Sequence, residues 1–328
     1  MSPAVDLVTL GESMVSLRTA GPISAGGCLS MHVAGAESNV AVGAARLGQR
    51  VRWAGVVGVD PHGEFILRQL RGEGIDVRHR EDAARSTGVM FLERRTTDVT
   101  RAYYYRSASA GSTLSREDVD LALQGGARVL HLTGITAALS PQAREAVEYA
   151  AHRAKNEGIL VSLDVNYRSK LWSREEASAA LARIVPHASV LIASDDELEL
   201  VAPDMDHTVL ERDSSGTAEV LAAKHLLAAG VREVVVKRGA AGAEVHTADQ
   251  RFEVPAVPVT SIDTVGAGDA FTAGYLSALL DGEEVAGRLR RGALAGAFAV
   301  STEGDWEGLP RTGELALLGD HVAGSTQR

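Results

Sequence analysis

Short runs of β-branched and aliphatic residues alternate along this chain with longer, alanine-rich stretches whose apolar positions recur at helical spacing. Val5 to Leu10 is followed by Ser38 to Leu47, Val129 to Leu132 by Pro141 to Lys155, and Leu160 to Asp164 by Glu175 to Ile184. The rhythm continues through Val190 to Ile192, Ala218 to Ala229 and Glu233 to Lys237. A strand that is apolar on both faces needs cover on both, and the helix after it supplies that cover. The repetition therefore predicts an α/β fold with a doubly wound, mainly parallel sheet flanked by helices. Ligands of such sheets gather at the carboxyl ends of the strands, so function is expected in the residues just after each apolar run.

Two segments break the alternation. Ser13 to Val33 and Thr87 to Arg106 carry short, partly alternating strands, with Val89, Phe91 and the run Tyr103, Tyr104, Tyr105 among polar residues. Neither encloses a good helix. They are expected to form a small β-sheet projecting from the α/β body, as a lid over a site or as a surface for packing and dimerisation, two uses that are compatible. The expected division is residues 1–12, 34–86 and 107–328 for the core and 13–33 and 87–106 for the lid. Asp204 to Gly216 reads as a polar loop and the last few residues as a frayed tail.

Composition narrows the partners. The 328 residues suffice for a large core, and the net charge of -10, from 33 Lys and Arg against 43 Asp and Glu, argues against nucleic acid and anionic membranes. A single cysteine, Cys28, excludes an internal disulfide framework. The ten histidines show neither HxxxH nor HExxH spacing, leaving a histidine-based transition-metal site without support. The start has no basic segment leading into an apolar core, and no later apolar run is long enough for a bilayer, so a cytoplasmic location is expected.

The strand ends carry the chemistry. Gly266, Ala267 and Gly268 lead directly into a helix with apolar positions at Ala270, Phe271, Ala273, Gly274, Leu276, Ala278, Leu279 and Leu280. Unpaired N–H groups and the positive end of the dipole at such a terminus attract a phosphoryl group. Asp269 stands where that phosphate would arrive, and is equally suited to capping the helix. Gly35 to Asn39 opens another helix, with amide and hydroxyl groups able to bond sugar hydroxyls or simply to cap. Tyr104 and Arg106 fall on one face of a lid strand, a pair suited to a carboxylate and hydroxyls, or to a solvated charge beside an aromatic.

Asn166 and Arg168 follow the strand ending at Asp164, where they can face a phosphate or acid group. Ser194 to Glu197 follows another strand, as a metal or phosphate position or as an acidic helix cap. Lys237 to Gly242 leaves a third strand by a glycine turn that can admit a nucleotide or close a hairpin. No GxxxxGK[ST] motif and no dinucleotide fingerprint occurs. Arginines, amides, a glycine turn and one carboxylate at several strand ends match the needs of phosphoryl transfer to an anionic or polyhydroxylated acceptor.

Gly35 to Gly48 (GAESNVAVGAARLG) resembles the first signature of the ribokinase-like, PfkB-type carbohydrate kinases, and Asp263 to Leu276 (DTVGAGDAFTAGYL) resembles their second. The likeness covers essentially the whole chain. Within the family it is strongest to the 2-keto-3-deoxygluconate kinases, through AYYYRSASAGS (Ala102 to Ser112), HLTGITAALSP (His131 to Pro141), SLDVNYRSKLWS (Ser162 to Ser173) and VVVKRGAAGA (Val234 to Ala243).

The resemblance implies ATP-dependent phosphorylation of the terminal hydroxyl of a keto-deoxy sugar acid, with Mg2+ arriving with ATP. It makes Asp269 the base and the N–H groups of Gly266, Ala267 and Gly268 the stabilisers of developing charge. Gly35, Asn39, Met90, Tyr104, Arg106 and Arg168 would hold the sugar, and Asn166, Ser194, Lys237, Gly239, Gly242, Gly266 and Gly268 the nucleotide. Glu197 matches an acid expected to meet the metal through water, and Asp263 matches one position of a monovalent cation site found in some relatives. Departures from the family pattern are Ala34, Met90, Ser194 and Ala293. Two alternatives stand beside the sugar-acid kinase: a kinase of a neutral sugar such as ribose or fructose, and a sensor that binds without turnover. A homo-oligomer through the lid sheet is also expected.

Overall fold

The computed structural model describes residues 3–96, 99–202 and 217–319, so the expected polar loop and the tail lie outside the described residues. Its strands are β1 Val5–Leu10, β2 Met14–Thr19, β3 Ser30–Ala34, β4 Val51–Gly58, β5 Asp76–Asp82, β6 Val89–Arg94 and β7 Thr100–Tyr105. They continue with β8 Ala127–Thr133, β9 Leu160–Asp164, β10 Val190–Ser194, β11 Glu233–Lys237, β12 Ala243–His246 and β13 Arg251–Val254. Nine of these form one sheet in the order β13-β12-β11-β10-β9-β8-β1-β4-β5. From β11 to β5 every neighbouring pair is parallel; β12 and β13 add an antiparallel hairpin at the edge. The expected doubly wound, mainly parallel sheet is present.

Helices pack on both faces: α1 Ala36–Arg46, α2 Pro61–Gly72, α3 Arg116–Leu123, α4 Gly134–Ala138, α5 Pro141–Asn156, α6 Arg174–Ile184, α7 Thr217–Ala228, α8 Ala267–Leu280 and α9 Val285–Val300. Their starts follow local chemistry. Asp60 and Ser140 cap α2 and α5, each ahead of a proline in the first turn, and Ser173 with Glu176 forms a capping box on α6. Ala143, Ala146, Ala150, Ala151 and Ala154 of α5 are fully buried, and their small side chains let the helix lie close to the sheet. Two apolar clusters result, one on each face.

A second sheet of four strands, in the order β3-β2-β6-β7, stands apart from the first. Pairing Ser16 with Met90, Arg18 with Leu92 and Met90 with Tyr104 puts these side chains on one face. Phe91, Tyr103 and Tyr105 alternate onto the other. The lid sheet is joined to the core by the indole of Trp306, which donates to the Val33 carbonyl at 3.0 Å, and by Lys170, which donates to the Ala102 carbonyl at 2.9 Å.

Candidate active site

Register brings strand ends that are distant in sequence side by side: Thr133 lies opposite Asp164, Asp164 opposite Ile192, and Ser194 opposite Lys237. Asp164 is buried and accepts from Lys237 Nζ at 2.7 Å and from Thr272 Oγ1 at 3.2 Å. Burial alone would push the Lys237 ammonium down, but the carboxylates of Asp164, Glu197 and Asp269 outweigh it and raise its pKa, so the lysine stays charged.

The turn before α8 follows from its glycines. Gly266 adopts a left-handed conformation, φ 76° and ψ −5°, and lies against the Asp305 carbonyl, where any side chain would collide. A Cβ on Gly268 would stand 3.4 Å from Lys237 Nζ, placing the lysine over the first turn of the helix. The Ala267 N–H makes a long contact of 3.4 Å to the Thr264 carbonyl.

Asp269 lies in that first turn, still partly open to the cleft. Burial pushes its carboxyl up to about 6; the bond from Asn39 and the charges of Lys237 and Arg168 oppose the shift, while Asp164 adds to it. Asn39 Nδ2 donates to Asp269 Oδ2 at 2.8 Å, joining two segments 230 residues apart. The sharp turn at Gly35, φ 149°, aims α1 there, with the Glu12 carbonyl 2.6 Å from where a Cβ would be.

On the lid side, Met90 is buried and Tyr104 carries Lys170 Nζ 5.4 Å above its ring. Arg106 follows the strand that carries Tyr104. β7 ends at Tyr105, and the Arg106 guanidinium is drawn inward to an ion pair with Glu12, leaving its side chain 10% exposed. The other Glu12 oxygen accepts from Ser109. Arg168 is exposed and donates to the Tyr167 carbonyl at 2.9 Å, close enough to Asp269 to act on its carboxyl.

Among the positions expected to line a nucleotide, Asn166 is buried in a left-handed conformation, φ 43°. Glu197 accepts from the Tyr167 N–H at 2.6 Å and the Ser194 N–H at 2.9 Å, one through each oxygen. The carboxylate expected to face a metal thus joins two strand ends as part of a capping box. Ser194 Oγ donates to Asp196 at 2.6 Å. Gly239 (φ 52°) faces open space, while Gly242 (φ 99°) is held against the Val254 carbonyl by the β11–β12–β13 hairpins. Among the described residues no group of three His, Cys, Asp or Glu could hold a metal ion by itself.

Four charged residues at the site are not apparent in the sequence pattern. Arg18 reaches from β2 to Asp263 and Asp305. Burial pushes the Asp305 carboxyl up to about 6; Arg18 opposes this, and Glu307 and Asp269 add repulsion. Glu12 holds Arg106. Glu37 is buried, accepts from the Thr133 and Thr136 hydroxyls at 2.6 and 2.5 Å, and is pushed up to about 7, chiefly by burial. Ser16 Oγ, Asn39 Oδ1, Arg106 Nε and Asp164 Oδ1 are buried without a hydrogen-bond partner among the described residues. Asn39 and Asp164 belong to the same polar network around Asp269 and Lys237, so their unmatched oxygens are open to a polar ligand there.

Residues 4–312 match the model of the pfkB family carbohydrate kinases. The chain belongs to this family. It is 33% identical over 303 residues to a 2-dehydro-3-deoxygalactonokinase of Haloferax volcanii, covering 92% of each chain. It is also 33% identical over 317 residues to a 2-dehydro-3-deoxygluconokinase of Bacillus subtilis, covering 95% of this chain and 94% of the relative. Among solved structures, an E. coli protein described as a candidate ribokinase II, in complex with ATP and Mg2+, superposes with a TM-score of 0.85 at 25% identity, over 95% of this chain and 98% of the other. The carbohydrate kinase assignment expected from the two signatures therefore stands, and so does the ribokinase-like fold. No helix among the described residues is long and apolar enough to cross a membrane.

Proposed function

We propose that the protein transfers the terminal phosphoryl group of ATP to the terminal hydroxyl of a 2-keto-3-deoxy sugar acid, with 2-keto-3-deoxygluconate, giving the 6-phosphate, as the first candidate. The observation that carries this reading is the carboxylate of Asp269, oriented by Asn39 in the first turn of α8. Asp269 takes the proton of the attacking hydroxyl, whose oxygen then bonds to phosphorus as ADP departs. The N–H groups at Gly266, Ala267 and Gly268, with Lys237 above them, meet the developing negative charge. Held by Lys237, Asn166, Ser194 and the Gly239 to Gly242 turn, ATP with its Mg2+ supplies the phosphoryl group. Glu197 acts here through the backbone of Tyr167 and Ser194; a metal-bound water is its further assignment.

For the sugar, Gly35, Asn39 and Met90 form the floor and inner wall, and Tyr104, Arg106 and Arg168 the end that takes hydroxyls and carboxylate. Asp305 is added as a hydroxyl acceptor. The names of the relatives in Haloferax volcanii and Bacillus subtilis support an acid substrate and leave the galacto and gluco epimers both open. One observation favours a neutral sugar instead: Arg106 already has Glu12 as an anionic partner.

The deciding assay is ADP release with ATP and Mg2+ on 2-keto-3-deoxygluconate, its galacto epimer, ribose and fructose. Selective turnover of the two acids is expected. Turnover of a neutral sugar alone would replace the substrate assignment, and no turnover with any would favour a binding role.

The outer lid face exposes Tyr103 (40%) and Tyr105 (67%) around an open groove of about 560 Å³ that also includes Pro22, Ile23 and Phe91. This supports a homodimer through the lid sheets. The soluble substrates and the free, exposed Cys28 support a cytoplasmic location.

A further inference from the structure

Arg18 belongs to the lid strand β2, yet its guanidinium lies in the core. One Nη donates to Asp263 Oδ2 at 2.7 Å and the other to Asp305 Oδ1, with side-chain exposures of 14%, 9% and 6% for the arginine and the two acids. Both acids bear on the turn that opens α8. Asp263 Oδ1 accepts from the Val265 N–H at 3.1 Å and its Oδ2 from the Gly304 N–H at 3.4 Å. The Asp305 carbonyl is the surface against which Gly266 is folded. Two poorly hydrated carboxylates side by side need a cation between them, and Arg18 is that cation.

Some members of the family hold a monovalent cation beside this turn through the position of Asp263. Here one oxygen of Asp263 is engaged by a backbone N–H and the other by Arg18 and a second N–H. The donors present do not fit an added ion at this carboxylate. We propose that Arg18 is a positioning residue for phosphoryl transfer: a lid-borne fixed cation that holds Asp263, Asp305 and the turn at Gly266 in shape where a diffusible monovalent cation would otherwise serve. Turnover then requires a seated lid and does not require potassium. Lid seating and readiness of the anion-binding turn become one event, because the same guanidinium belongs to both.

The proposal rests on the kinase reading, and the test separates the two. Rates are measured with ATP, Mg2+ and the best sugar at constant ionic strength, with potassium, sodium or tetramethylammonium as the monovalent cation. Wild-type rates are expected to agree within about 1.5-fold across the three ions. Arg18→Met is expected to lose roughly 10- to 100-fold in kcat, the scale of a displaced catalytic turn, with a smaller change in KM for the sugar. Potassium should restore part of that loss and tetramethylammonium none of it.

Arg18→Lys, which keeps the charge, should retain more activity than Arg18→Met and serves as the second variant if Arg18→Met does not fold. Severalfold activation of the wild type by potassium would overturn the proposal. So would wild-type kcat in Arg18→Met, or a loss in that variant to which potassium makes no difference. Absence of wild-type turnover in every salt would refute the kinase reading itself.

Discussion

On the core side the groups proposed to react are fixed by the sheet and the two signature helices, whereas the lid side is tied to them by long-range ion pairs and hydrogen bonds. Asp164, Lys237, Asp269 and Asn39 are set by strand register and by the packing of α1 against α8, whose small residues bring Ala273 beside Gly43. The lid meets them through Arg18, Arg106 and Lys170; Val15 and Val33 join its base to the apolar core, while Met14, Ala34, Met90 and Leu92 form a small cluster of their own. Burial of apolar surface at about 25 cal/mol per Å² holds the first side as part of the fold. The pairs of Arg18 and Arg106 are poorly hydrated, so removing either arginine leaves carboxylate charge unmatched, whereas the exposed Lys170 bond contributes little. We propose that the core side supplies the groups that transfer phosphate, and that the lid side reads the substrate and, through Arg18, steadies the turn before α8.

That contrast predicts where substitutions act. The largest effect is on the core side: Asp269→Asn should lower kcat by about 10³-fold or more, while calorimetry finds the sugar bound within about threefold of wild type. Matched losses in rate and binding would remove the role of base. The same carboxyl sets the pH profile. Its raised pKa means that kcat should rise with pH up to about 6, as Asp269 loses its proton, and level off above.

Glu37 tests whether the core side depends on its buried network. Glu37→Ala should destabilise by about 2–4 kcal/mol, from a cavity and two unpaired threonine hydroxyls. Glu37→Gln should cost much less at neutral pH. The Glu37 carboxyl titrates at about 7 in the fold against an ordinary 4.5, so its contribution is full below 4.5 and is lost as pH rises through 7. By linkage the wild type gives up to roughly 3 kcal/mol across that window. Denaturant unfolding at several pH values should show a flatter dependence for Glu37→Gln, and identical slopes would contradict the assignment.

The smallest effect belongs to the contact that Lys170 makes with the lid. Lys170→Ala removes the bond to the Ala102 carbonyl and the cation above Tyr104. It should raise KM for the sugar about two- to fivefold with kcat nearly unchanged. A fall in kcat alone would mean that Lys170 acts on the transfer step and not on sugar binding.

The same contrast explains what was legible in the sequence. Apolar runs such as Val234 to Val236 specify buried parallel strands by themselves, and glycine turns before helices mark Gly35 and Gly266, because both signals are local. The alternation around Phe91 and Tyr103 likewise marks the lid. Strand β4, with Arg52 and Trp53 inside it, and β5, with six charged or histidine residues out of seven, do not stand out as apolar runs, although the sheet uses both. Arg18, Asp305, Glu12 and Glu37 are invisible for another reason. Their partners lie 245 and 287 residues away for Arg18, 94 for Glu12 with Arg106, and 96 and 99 for Glu37, and no spacing rule links such positions. Arg106, expected on the face of Tyr104, lies one residue past the end of β7 and pairs with Glu12, a partner that no local pattern announces.

The most direct test of a core that transfers and a lid that recognises is the ratio of kcat/KM for 2-keto-3-deoxygluconate to that for a neutral analogue lacking the carboxylate, in the wild type and in Arg106→Ala. The account predicts a high ratio in the wild type that falls about 10- to 100-fold in the variant, with the neutral analogue turned over almost as before. Equal losses on both substrates would contradict it, showing that Arg106 supports the fold of the cleft and does not read the acid.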